Sequence, residues 1–91
     1  PSGEIVARMP EGARHWSINV GRFGSRHEAE KALLRTALVE IGTLDQARRK
    51  VVHSSRGFDA VFVGLSSQRA TLACRRLQAQ DIGCSAEGPG A

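Results

Sequence analysis

No run of apolar residues in this chain approaches the roughly 18 that span a bilayer, and no signal-peptide core of apolar residues is present. No S-x-x-K, G-x-S-x-G, H-E-x-x-H or phosphate-loop pattern occurs. The usual local signatures of serine acyl transfer, zinc hydrolysis and nucleotide binding are therefore missing. His27-Glu28 lacks a second histidine four residues on, and a glutamate there suits the first turn of a helix for dipole reasons. His15, His27 and His53 fall on three separate segments, and the nine carboxylates are dispersed. The two cysteines, Cys74 and Cys84, are not spaced as C-x-x-C and have no histidine near them in sequence, which argues against zinc. The chain is expected to be neither an enzyme nor a holder of a metal or cofactor.

What remains is an ordinary globular composition, 41% hydrophobic and 24% charged, in 91 residues. That length suits one small domain with a modest core. It excludes a repeat array and a large multi-domain enzyme. The opening Pro1-Ser2-Gly3, without Met, reads as a segment cut from a longer protein. Lysine is scarce: eleven of the thirteen basic residues are arginine, and the formal net charge is +4. Arginine's planar fork of donors pairs with carboxylates or phosphates at two points, so an anionic partner such as nucleic acid, an acidic glycan or anionic lipid is compatible with the composition.

Residues 1–14, with Gly3, Pro10 and Gly12 and little periodicity, read as a linker or tail, and residues 88–91 as a second tail. Between them, over 15–87, the apolar period switches regularly. Trp16, Ile18 and Val20 alternate with Ser17, Asn19 and Gly21, which predicts a half-buried strand up to Phe23. Ser25 followed by Glu28 has capping-box spacing, and Ala29, Leu33, Leu34, Ala37, Leu38 and Ile41 predict a helix with that stripe inward, stopping at Gly42. Thr43 to Arg48 is either a loop or a short helical turn. Arg49 to Ser54 predicts a second strand, Ser54 to Gly57 a turn, and Phe58 to Val63 a third strand with Phe58, Ala60 and Phe62 on one face and Asp59, Val61 and Val63 on the other. Ser66 or Ser67 caps a second helix whose stripe is Ala70, Ala73, Cys74 and Leu77. Asp81 to Glu87 predicts a last strand around Ile82, Cys84 and Ala86.

The order βαββαβ is the split arrangement of RNP-like and ferredoxin-like α+β folds, with strands one and three central and both helices on one face of an antiparallel sheet. The other face stays open to solvent or a ligand. Cys74 lies roughly 9 Å before the end of its helix at 1.5 Å per residue, and Cys84 roughly 10 Å into the returning strand at 3.3 Å per residue. Helix and strand run in opposite directions, so the sulfurs come nearly level, a geometry that permits a disulfide and with it an oxidising compartment. Two buried, reduced thiols are the alternative.

The segment from Trp16 through Asn19, Gly21, Phe23, Ser25 and Arg26 into the alanine-rich stretch 28–32 resembles the opening of a SPOR domain, a bacterial peptidoglycan-binding module. Val63-Gly64-Leu65, the serines before the second helix and the short last strand resemble its second half, so the likeness covers about residues 15 to 87. Residues 73–77 and Gly83-Cys84 resemble the SPOR domains at the C-terminus of alphaproteobacterial D-alanyl-D-alanine carboxypeptidases. The resemblance implies an RNP-like fold and a periplasmic module, in a cell-wall enzyme, that binds septal glycan strands stripped of their stem peptides. It implies a site on the open sheet face and neighbouring loops, where Asn19 takes the place of the family's glutamine and Gly21, Phe23 and Ser25 match its glycine, aromatic and serine.

The chemistry of that ligand suits the residues. Peptide removal leaves a lactyl carboxylate on every second sugar, for which Arg22, Arg26 and Arg56 offer charge-assisted bonds. Ser17, Asn19 and Ser25 offer hydrogen bonds to hydroxyl and acetamido groups, and Val61 and Val63 an apolar strip. Gly21 is expected to serve the backbone, as a bulge or close approach, and Phe23 the core. A monomer without nucleic-acid or membrane partners is expected. Two rival readings use the same topology. Arg56 to Val63 loosely resembles the RNP1 signature of RNA-recognition motifs, but its stacking positions fall on Ala60 and Asn19. A protein-interaction or regulatory module without a glycan is the other.

Overall fold

The computed structural model describes residues 14–89; most of the expected linker and the last two residues lie outside this range. The elements are β1 (Trp16–Phe23), α1 (Arg26–Val39), α2 (Ile41–Leu44), β2 (Arg48–Ser54), β3 (Gly57–Leu65), α3 (Ser67–Gln78) and β4 (Ser85–Glu87). One antiparallel sheet has the order β2-β3-β1-β4, so β1 and β3 are central and β2 and β4 are the edges. The chain is an α+β protein with a ferredoxin-like strand order.

Local chemistry explains the boundaries. The Ser25 hydroxyl accepts from the Glu28 amide at 3.2 Å to start α1, and the Ser66 hydroxyl accepts from the Arg69 amide at 3.0 Å to start α3. The core joins Ile18 and Val20 of β1, Ala60, Phe62 and Leu65 of β3, Ala29 and Leu33 of α1, Leu44 of α2, and Ala70, Ala73, Cys74 and Leu77 of α3. The α3 stripe coincides with the expected one.

The α1 stripe coincides in part. Ala29 and Leu33 are buried and Ala37 packs against the core, but Ala32 and Thr36 complete the inward side, while Leu34, Leu38 and Ile41 turn outward, with Leu38 73% exposed. This segment carries apolar residues on two sides, and apolar periodicity merged them into one stripe. The inner side is partly polar because its polar groups find partners. Glu40 is buried, and its carboxylate accepts from the Thr43 hydroxyl at 2.9 Å and forms an ion pair with Arg76 of α3, Nε to Oε2 3.1 Å. Drawing Glu40 inward also moves the helix end. The backbone leaves helical geometry at Glu40 (φ −135°, ψ 59°), and Gly42, the expected stop, lies inside the short helix α2.

The last strand is shorter than expected. Ile82 and Cys84 pack against the core from the approach loop, and only Ser85–Glu87 pair with β1. Cys74 and Cys84 form a disulfide with Cα atoms 5.2 Å apart, and Gln78 Nε2 donates to the Cys84 carbonyl at 2.9 Å. Such a bond is compatible with an oxidising compartment. No helix among the described residues is long and apolar enough to cross a membrane. Reduction of Cys74–Cys84 is expected to remove about 2–3 kcal/mol of stability, the loop-closure value for a loop this short. Urea unfolding with and without a strong reductant measures it, and coincident transitions would refute it.

Candidate ligand-binding face

The open face is set by where strand alternation is interrupted. In β1, Ile18 pairs with Phe62 and Asn19 with Val61, but Gly21 pairs with Ala60, so β1 carries one extra residue at Val20–Gly21. Gly21 has φ +149°, a backbone state that other residues rarely adopt. The bulge switches the phase of the strand. Ser17 and Asn19 before it and Arg22 after it share the open face, whereas strict alternation would have turned Arg22 toward the helices with Ile18 and Val20. Asn19 braces the bulge: its Oδ1 accepts from the Gly21 amide at 2.8 Å. That leaves the two N–H groups of its side chain as donors to a ligand.

Register lays out the rest of the face. One row across the sheet runs Lys50, Val61, Asn19, Ser85. Arg48 and Val63 stand in the next row toward Ser17 and Glu87, and Val52, Asp59 and Arg22 in the row on the opposite side. Arg22 Nε donates to Asp59 Oδ1 at 2.8 Å, and this hydrogen bond, with the carboxylate's charge, raises the guanidinium's pKa above its ordinary value. Asp59 is thereby matched by Arg22, and the other charged side chains in these rows are the cations Arg48 and Lys50 and the carboxylate of Glu87.

The expected site residues therefore divide. Ser17, Asn19, Arg22 and Val61 come together on the open face, while Gly21 supplies the bulge and pairs with buried Ala60 on the helix side. Arg56 sits in the exposed β2–β3 turn, where its amide donates to the Ser54 hydroxyl at 3.2 Å. Ser25 uses its hydroxyl as the cap of α1. Arg26 lies on the helix side of the sheet, its guanidinium carbon 5.7 Å from the centroid of the Phe58 ring, which itself stacks on His53 at 4.2 Å. Arg48, Lys50 and Ser85 are open-face residues that sequence reasoning missed. Their signal was weak because Val51 and Val52 are both apolar, which hides the phase of β2. Phe62 is fully buried, and Trp16, Phe23 and Phe58 pack against the core, so no aromatic ring among the described residues lies on the open face.

Comparison with protein-family models, with curated proteins and with solved structures returns no match. The fold and face by themselves define a class: an open-faced α+β sheet presenting amide and hydroxyl groups, a valine strip, three cations and two carboxylates to one side.

Proposed function

We propose that this chain is a non-catalytic, SPOR-like module that binds peptidoglycan glycan strands lacking stem peptides. In this reading it holds an attached cell-wall enzyme, of the serine-type D-alanyl-D-alanine carboxypeptidase kind, at the septum in the periplasm. The observation that carries it is the row Lys50, Val61, Asn19, Ser85, which sets a cation, an apolar surface, an amide and a hydroxyl side by side across one sheet face. A peptide-free strand repeats the complementary groups, with a lactyl carboxylate, N-acetyl methyls and ring hydroxyls. Lys50 and Arg48 meet the carboxylates, Val61 and Val63 meet methyls and sugar faces, and Asn19, Ser17 and Ser85 exchange hydrogen bonds. Arg22 keeps Asp59 from repelling the anion. Binding of this kind acts by raising the local concentration of the tethered enzyme on its substrate.

The test is co-sedimentation of the purified domain with sacculi, with and without prior amidase digestion. Amidase treatment is expected to increase binding. The double variant Arg48→Ala/Lys50→Ala is expected to lose at least about tenfold, since a charge-assisted hydrogen bond contributes about 1.5–3 kcal/mol. Equal binding to both sacculi, or an unaffected double variant, would overturn the proposal.

A further inference from the structure

One groove lies away from the open face. It holds about 570 Å³ between α1 and the outer edge of β2, lined by Arg26, Glu30, Leu33, Leu34, Arg49, Lys50 and Val51. Three features converge on it. The first is a free edge: β2 pairs with β3 on one side only, and in an antiparallel strand the N–H and C=O groups of every second residue turn away from the partner. Seven residues of such edge form a template for another strand. The second is an apolar floor made by Leu33, Leu34 and Val51, with Leu34 52% exposed despite its place beside the core. The third is charge. Arg26, Arg49 and Lys50 line the groove against the single carboxylate of Glu30, and Arg48 extends the basic run along β2. Among the described residues the ion pairs are Arg22–Asp59, Arg69–Asp45 and Arg76–Glu40, and none engages these four cations.

We infer that the α1–β2 groove is a docking site for an extended acidic peptide that adds to β2 as a fifth strand. Main-chain hydrogen bonds to β2 supply affinity. Alternate side chains of the peptide enter the groove, where apolar ones rest on Leu33, Leu34 and Val51. Its carboxylates pair with Arg26 and Arg49. A second copy of this chain is the wrong occupant, because its own β2 would add Arg48, Arg49 and Lys50 to an edge that is already basic and would bring no carboxylate. The groove lies on the helix side and at the sheet edge, and Lys50, which borders it while standing in the open-face row, is the residue the two surfaces share.

The test uses three probe heptapeptides, blocked at both ends: one alternating threonine with the series glutamate, leucine, glutamate, so that its acidic and apolar side chains share one face of the strand, one with lysine in place of glutamate, and the acidic one with alternate amides N-methylated. Binding is followed by amide chemical-shift mapping and by hydrogen exchange of β2. The acidic peptide is expected to bind at least about tenfold more tightly than either control, because charge and strand pairing are both required. It is also expected to protect alternate amides of Arg48–Ser54. Arg49→Glu and, separately, Arg26→Glu are expected to weaken it at least about tenfold, while Arg49→Glu leaves sacculus binding as in the wild type. Equal binding of the three peptides, no binding of any, or shifts confined to the open face would overturn the inference. So would protection of β2 that rises with protein concentration in the absence of peptide, which would mark a self-associating edge.

Discussion

Phe62→Ala is expected to destabilise the domain by about 3–5 kcal/mol, the range for truncating a fully buried phenylalanine. Phe62 is wholly buried on the helix side of β3. It stands between Ile18 of β1, itself fully buried, and Arg49 of β2, so neighbouring strands bound the site on both sides. The ladders of two strand pairs fix those neighbours, and the cavity has little means of collapsing. A domain of this size has about 5–15 kcal/mol in total at most, so the loss takes most of its margin. Urea unfolding followed by circular dichroism reads it directly. A loss under about 1 kcal/mol would mean that the helices settle onto the sheet and close the gap.

Gly57→Val is expected to cost about 3 kcal/mol or more, through backbone strain and overpacking together. Gly57 opens β3 with φ +139°, a conformation that a β-branched residue occupies only under strain. Space is short as well. A Cβ placed there would lie 2.8 Å from the Phe23 carbonyl oxygen, a backbone atom that cannot swing aside, and 3.2 Å from Arg22 Cγ. The contact also pushes on Arg22, which holds Asp59, so the damage extends to the open face. The same unfolding measurement tests this, with sacculus binding as a second readout. Stability within about 0.5 kcal/mol of wild type, the usual scatter for surface substitutions, would refute it.

Much of this architecture was legible in the residues. The strand order follows from the switch between two-residue and three-to-four-residue periods. Both helix starts follow from serines whose hydroxyls do cap the first turn. The level placement of Cys74 and Cys84 follows from counting rise along a helix and a strand, and they are bonded. Errors arose where side-chain chemistry overrode periodicity. Thr36 and Glu40 belong to the buried side of α1, where Thr43 and Arg76 satisfy the carboxylate of Glu40, and that partnership joins residues far apart in sequence. A pattern of apolar positions cannot register it. The layout of the candidate face was legible only in part, for a similar reason. Asn19 and Arg22 were readable as polar, but their sharing of one face depends on the Gly21 bulge. Arg26 was expected beside that face with Arg22 and Arg56 as a partner for carboxylates, yet the turn into α1 carries it to the other side of the sheet. Lys50 and Arg48 escaped notice because edge strands carry both charges and apolar residues on either face.

The two edges of the sheet are unequal, seven residues in β2 against three in β4. Strand-by-strand growth into a ribbon needs two usable edges on every unit, one to join and one to be joined. This chain has one long edge, and its other end is a stub held down by a disulfide just before it. Any association through strand pairing therefore terminates once β2 is occupied. Through the described residues the molecule accepts a single added strand and does not propagate into a fibre by that route.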